Sequence, residues 1–365
     1  MWEIRRDGSN LHRLSIPSRP LHGIHAGCWT PDGNYFFYTE DLGQANGARL
    51  WITGGGPGWR SPVHLMGGPL SFHPWAFAVN GSTLFAIGMD SSSELARFDA
   101  EQGKFVPFWA GVAAVDVEFS HDGTRAAWRH FPDHTLWASR ADGSEARRLT
   151  DPPLEAYQPH WSPDDKQIAF MGWTPNQPSR ILVIGPEGGI PKAVRPDDPI
   201  DQGVPTWSPD GRYIVYGELR QRVPDAGMVI HLLDLKSGAE SVLPDSRGKW
   251  SPRWSPDGRF VLATATDFGS LYLFDCNTRL WRVLYSGVNV GEASWSRDSR
   301  FVQYHAELQE GIALFRVRIA DSAVERVTMT PVGDDPWCGI GLDGAPQLLL
   351  SRRIEEIYAI DLRLP

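Results

Sequence analysis

Trp207-Ser208-Pro209-Asp210-Gly211-Arg212-Tyr213-Ile214-Val215-Tyr216 decides the fold. Proline fixes φ, and Asp-Gly tolerates positive φ, so the middle of this stretch is a tight turn. The aromatic and β-branched residues 213–216 after it suit a buried strand. The same stretch recurs clearly at Trp161-Ser162-Pro163-Asp164 and Trp254-Ser255-Pro256-Asp257-Gly258. Weaker copies are Trp29-Thr30-Pro31-Asp32-Gly33, Phe119-Ser120-His121-Asp122-Gly123 and Trp295-Ser296-Arg297-Asp298-Ser299. Two more are eroded, Phe77-Ala78-Val79-Asn80-Gly81 and Ile340-Gly341-Leu342-Asp343-Gly344. The marker residues fall at 29, 77, 119, 161, 207, 254, 295 and 340, at intervals of 41 to 48 residues. A period near 40–45 with several short strands per unit is the signature of a β-propeller.

Each unit reads as four antiparallel strands, a to d from the channel to the rim. In residues 157–195, Tyr157-Gln158-Pro159-His160-Trp161 is strand a and residues 167–171 are strand b. Residues 181–184 are strand c and residues 191–195 strand d. No segment of useful length has helical periodicity. The fold class expected is all-β, a propeller of four-stranded antiparallel blades. Eight hairpins predict eight blades, and seven is the alternative if the unit around Phe77 is not a blade. One domain, residues 1–365, is expected. The last unit stops after a strand c at residues 357–360, whereas the N-terminus resembles a c–d hairpin. Residues 11–15 are therefore expected to close the ring beside the C-terminal blade, 336–361. A start in mid-blade suggests a piece of a longer protein.

The formal net charge of −9 argues against a nucleic-acid surface. Short basic runs such as Arg147-Arg148 and Arg352-Arg353 read as solvated strand edges. No apolar run has signal-peptide or transmembrane character, so a cytoplasmic monomer without membrane contact is expected. Three cysteines do not make a disulfide framework. Cys28 and Cys338 fall on the inner strands of the first and last blades, where they read as small buried residues.

The Trp-Ser-Pro-Asp-Gly-Arg unit followed by three apolar residues resembles the WD40-like repeat of TolB-type propellers, over most of residues 24–361. It is also similar to the propellers of acidobacterial multidomain proteins, where one follows a Ser/Thr kinase or a DNA-binding domain. Residues 140–145, 157–170 and 356–361 carry that second likeness. The resemblance implies a ligand- or protein-binding module of a sensor or scaffold, without chemistry of its own. Two related families are enzymes. Prolyl oligopeptidase-type peptidases need an α/β-hydrolase domain, and no Gly-x-Ser-x-Gly occurs in this chain. Oligogalacturonate lyases are catalytic propellers with a metal held by histidines, which keeps a carbohydrate-active enzyme, a glycoside hydrolase or polysaccharide lyase, as the alternative.

Ligands of propellers sit where the loops leading into strand a and the b–c loops open. Aligning the units on their markers gives His25, His73, Tyr157 and Trp250 four residues before the marker. Just after strand b come Glu40, His130, Trp173, Asp267, His305 and Arg352. Imidazoles, carboxylates and aromatics from separate units make this mouth the expected site for a small molecule, sugar, peptide or protein. A solvated mouth without a ligand is the competing reading. Asp116, Glu118 and Glu292 on the inner strands could supply the paired carboxylates of glycoside cleavage. No cofactor is expected, and a divalent metal at the mouth is a minor alternative. His130-Phe131-Pro132-Asp133-His134 has metal-like spacing only on a helix, which Pro132 argues against. Asp197-Asp198 reads as a solvated turn rather than a calcium site.

Overall fold

The computed structural model describes residues 2–3, 12–13, 24–41, 48–54, 63–66, 71–78, 82–131, 133–219, 227–331 and 337–362. Every regular element among them is a β-strand. All eight marker hairpins form, strand a pairing antiparallel with strand b in each repeat. Repeats one and three to seven each complete a four-stranded sheet in the order a-b-c-d. The fold is the all-β propeller of antiparallel blades that the repeat predicts.

The repeated turn is built from its own side chains. The hydroxyl after the marker donates to the aspartate two residues on, at 2.7 Å in Ser120–Asp122, Ser162–Asp164 and Ser296–Asp298. The same hydroxyl accepts the N–H that opens strand b, as in Tyr213 to Ser208 at 2.8 Å and Phe260 to Ser255 at 2.9 Å. These bonds hold the turn carboxylates below their ordinary range; the Ser120 hydroxyl, then the N–H and hydroxyl of Thr124, bring Asp122 down to about 2. Gly211 and Gly258 close the turn at φ +70° and +76°, a region glycine enters without strain. Repeats four and seven put Asp165 and Ser299 there, at φ 55° and 58°. Both use the side chain to tie the preceding repeat. Asp165 accepts the N–H groups of His121 and Asp122 at 2.8 and 3.0 Å, and Ser299 accepts that of Asp257 at 3.0 Å.

The chain divides into two compact units. The second, residues 93–351, holds the complete sheets of repeats three to seven. It also holds strand a of repeat eight, Cys338–Ile340, paired with the start of the long strand Pro346–Asp361, and Lys104–Trp109, paired with the end of Thr83–Asp99. Inner strands of repeats three and four, four and five, and five and six adjoin, and Cys338–Ile340 lies against those of both repeat seven and repeat three. The core sits between neighbouring sheets. Ala169 and Ile181 of repeat four meet Trp207, Ile214 and Tyr216 of repeat five. Leu95, Trp109 and Leu349 meet Val115 and Trp128 of repeat three.

The first unit is residues 1–92 with 352–365. Its core joins Phe37, Leu50 and Ile52 of repeat one to Leu84, Phe77 and Ile360. Trp2–Glu3 pairs with His12–Arg13 as the expected N-terminal hairpin, in a two-stranded sheet of its own. Residues 11, 14 and 15 of the expected closing segment lie outside the described residues.

Two expected breaks between strands b and c do not occur. Thr83–Asp99 runs unbroken for 17 residues through Asp90-Ser91-Ser92-Ser93. Pro346–Asp361 runs for 16 residues through Arg352, so the expected separate strand c at 357–360 continues strand b. After Gly88 and Pro346 neither stretch contains glycine or proline, and the Asp90–Ser93 cluster, which favours a turn without enforcing one, stays extended.

Candidate functional site

The inner strands are not regular. Their pairing with strand b slips just before the marker in repeats three to seven. The third residue before the marker takes positive φ at Asp116, Gln158, Val204 and Ser251 (48° to 55°). Such a bulge re-aims side chains and is common beside functional sites. Here it accompanies a cavity of about 380 Å³ within the second unit, lined from all six of its inner strands. Trp161, Trp207, Trp254, Trp295 and Trp337 line it, with Pro163, Pro209 and Pro256 of the turns.

Polar side chains on the wall come chiefly from the position before the marker. Glu118 of repeat three faces His160 of repeat four, Oε1 to Nδ1 at 3.2 Å. Arg253 of repeat six donates through Nη2 to Oε1 of Gln158 of repeat four at 2.9 Å. The Thr206 hydroxyl donates to the Pro252 carbonyl at 3.0 Å. Arg297 of repeat seven donates to the carbonyls of Ser120 and His121 of repeat three. Asp116 forms a buried ion pair with Arg129 at 2.8 Å and accepts the Gln158 N–H at 3.2 Å.

Enclosure by protein would raise the Glu118 pKa, but His160, then Arg253 and His121, outweigh it and hold the carboxyl below its ordinary 4.5. A depressed folded-state pKa contributes stability above the unfolded pKa and loses it as pH falls through the folded one. Glu118→Gln is therefore expected to melt below the parent at pH 7. That gap should close as pH falls through the lowered Glu118 pKa. Thermal unfolding of both proteins across pH 2–7 checks this; a gap independent of pH would contradict it.

Of the expected site residues, Tyr157, Trp250, His130, Trp173, Asp267 and His305 belong to the second unit. None lines the cavity. His134 stacks on the Tyr157 ring at 5.5 Å and the Arg129 guanidinium lies 5.0 Å from it, while the hydroxyl donates to Glu155. Burial, then that bond to Glu155, raises the Tyr157 pKa. His130 turns to Asp133 at 2.8 Å and His134 to Arg129 at 2.6 Å, so the two histidines serve different partners. Trp250 packs edge-on to Phe268 at 5.5 Å. Trp173 ends strand b, Ile168–Trp173, and is half-buried. Asp267 accepts the N–H of Gly269 at 2.8 Å, capping its own turn. His305 is buried within the strand Phe301–Leu308 rather than following it. His25, Glu40, His73 and Arg352 are on strands of the first unit, and their side chains lie outside the described residues. The same holds for the side chain of Glu292.

Other expectations change too. Asp198 is no solvated carboxylate: it is buried and accepts the Gln202 amide at 2.9 Å and the Ile200 N–H at 3.1 Å. The marker tryptophans wall the cavity as well as wedging the sheets. Cys28 and Cys276 are half-buried thiols raised to about 11, mainly by burial. Among the described residues no three His, Cys, Asp or Glu side chains converge as a metal set. The spacing of the repeats does not single out His121, His160, Arg253 or Arg297. Two of them had a visible signal, since His121 and Arg297 replace the proline that repeats one, four, five and six keep in the turn.

No protein-family model matches the chain, and no curated protein matches it. Solved structures do. A putative TolB from Agrobacterium tumefaciens aligns with a TM-score of 0.58 at 18% identity, covering 73% of this chain and 99% of its own. TolB from Acinetobacter baumannii aligns at 0.50 with 13% identity, covering 86% and 73%. A chain of a nidogen–laminin complex aligns at 0.52 with 8% identity, covering 66% and 94%. At such identities the likeness is one of fold: a β-propeller like those of the two TolB structures.

Proposed function

We propose that the chain is a non-catalytic binding module of a sensor or scaffold protein, and that its ligand occupies the inner-strand cavity of the second unit. The observation that carries this is the cavity itself. At about 380 Å³ it lies in the range of small-molecule sites, and five indoles and a few convergent polar groups wall it. The carbohydrate-active alternative needs a carboxylic acid that keeps its proton near neutral pH to protonate a leaving group. Glu118 is held ionised, and Asp116 is committed to Arg129. Both features support binding over hydrolysis by a carboxyl pair.

Indole emission reports occupancy directly. Titration with a broad set of small molecules should give saturable fluorescence changes and a raised melting temperature for some of them. Chromogenic glycosides and uronate polymers, with and without divalent metal, should show no turnover. Turnover that survives purification and disappears in Glu118→Gln would replace this reading with the enzymatic one.

A further inference from the structure

We infer that the cavity takes a neutral, polyhydroxylated ring of mono- or disaccharide size, with Glu118, His160 and Ser294 meeting its hydroxyls and the indoles meeting its C–H faces. The inference rests on the binding reading above and specifies its ligand.

The wall is balanced in charge. Asp116 and Glu118 stand on it with Arg253 and Arg297. Each charged group already has an answer. Asp116 is paired with the buried Arg129, and Glu118 is offset by His160 and then by Arg253. Arg253 also donates to Gln158, and Arg297 donates to the carbonyls of Ser120 and His121. The histidines of the wall face carboxylates as well, His160 with Glu118 and His121 with Asp165 at 3.0 Å. A ligand of either charge would add an unpaired ion to a partly enclosed site, which is costly. An uncharged ligand avoids that cost.

Hydrogen-bonding capacity, by contrast, is left open. The residue before the marker lines the cavity in every repeat from three to eight: Glu118, His160, Thr206, Arg253, Ser294 and Gly339. Glu118 and His160 turn Oε1 and Nδ1 toward each other at 3.2 Å, and among the described residues Oε2 and Nε2 have no partner. The Ser294 hydroxyl has none there either. Gln158 gives its amide oxygen to Arg253 and keeps its amide nitrogen open. These open groups come from repeats three, four and seven and differ in kind. A carboxylate oxygen only accepts, an amide nitrogen only donates, and a hydroxyl does both. A hydroxyl on the ligand answers each kind, and its bond to the carboxylate is charge-assisted. A ligand with hydroxyls round its edge can reach groups spread over three repeats. An apolar ligand would strip their water and leave them unpaired.

Five tryptophans and three prolines supply the apolar part of the wall. The C–H faces of a saturated ring bury their area against such side chains while the ring edge stays polar. The volume of about 380 Å³ is at the small end of ligand sites, which suits one or two rings.

The test titrates the full chain with the methyl glycosides of glucose, galactose and mannose, with maltose and cellobiose, and with myo-inositol, followed by indole fluorescence and calorimetry. Methyl glucuronide, glucosamine and cyclohexylmethanol are the anionic, cationic and hydroxyl-poor comparators. At least one neutral sugar should saturate at millimolar concentration or below, with an affinity that salt does not change. Each comparator should bind at least roughly tenfold more weakly. Ser294→Ala should weaken the bound sugar by roughly 3–10-fold and Glu118→Gln by roughly 10–100-fold. Ser294 is half-buried and has no protein partner to lose, so its variant keeps the test usable if Glu118→Gln does not fold. No saturable binding by any of the neutral sugars at tens of millimolar overturns the assignment. So does a comparator that binds as tightly as the best sugar, or a sugar whose affinity Ser294→Ala leaves unchanged. If a ligand without hydroxyls from the broad titration then occupies the cavity, the binding reading stands and only the ligand class fails. If that titration also finds no ligand, both fail.

Discussion

Replacing Arg129 with methionine should lower the stability of the second unit by about 3–5 kcal/mol, the usual effect of leaving a buried charge without its partner. The side chains of Arg129 and Asp116 are only 7% and 6% exposed, and Nε meets Oδ2 at 2.8 Å. The same guanidinium touches His134 at 2.6 Å and lies 5.0 Å from the Tyr157 ring. Its removal leaves the Asp116 carboxyl buried without its partner, with the Gln158 N–H at 3.2 Å as a weak substitute. Because Asp116 has φ 53°, asparagine is the neutral replacement that tolerates the backbone there. Arg129→Met with Asp116→Asn should therefore recover most of the loss. Urea unfolding of the two variants decides it. A single variant within 1 kcal/mol of the parent, against the ~3–5 expected, would mean that the pair is not the lock between strands a and b of repeat three.

Trp161→Ala should cost a similar amount, about 3–5 kcal/mol, through the cavity it opens. The indole is 1% exposed and packs with Ala127, Leu136, Ile168 and Phe170 across repeats three and four. Its Nε1 donates to the Glu118 carbonyl at 3.0 Å. Trp207 has the same place in repeat five, but its buried Nε1 has no acceptor among the described residues. Phenylalanine keeps most of the ring and deletes the N–H. Trp161→Phe should consequently destabilise more than Trp207→Phe, by about 1 kcal/mol, the net worth of an ordinary hydrogen bond. Equal losses in the two would show that the wedge acts by volume alone.

The hairpins were legible because their information is local. Ser-Pro-Asp-Gly closes its turn with its own hydroxyl, carboxylate and glycine, and it does so wherever it stands. The long strands were not legible. Residues 89–99 and 347–361 have no glycine or proline, but Asp90-Ser91-Ser92-Ser93 reads as a turn, and a partner such as Ser82 for Leu362 is far away in the sequence. The site was half legible. Asp116 and Glu118 stood out as carboxylates on inner strands, and both are on the cavity wall. The expected mouth residues of the second unit follow from aligning the repeats, which does not reveal that Tyr157, His130 and Asp267 are engaged by local neighbours. Nor does it reveal the bulge at Gln158 and Ser251, since positive φ at a non-glycine residue leaves no mark in the sequence.

The central claim is the location of the ligand site, and fluorine NMR of protein labelled with 5-fluorotryptophan tests it most directly. The chain has 16 tryptophans. Five line the cavity, whereas Trp173 and Trp250 belong to the mouth expected from the sequence and do not line it. Single Trp→Phe variants assign the resonances. Addition of a bound ligand should shift the signals of Trp161, Trp207, Trp254, Trp295 and Trp337 and leave those of Trp173 and Trp250 in place. Shifts at Trp173 and Trp250 with the five cavity signals unmoved would contradict the account and return the site to the other end of the inner strands.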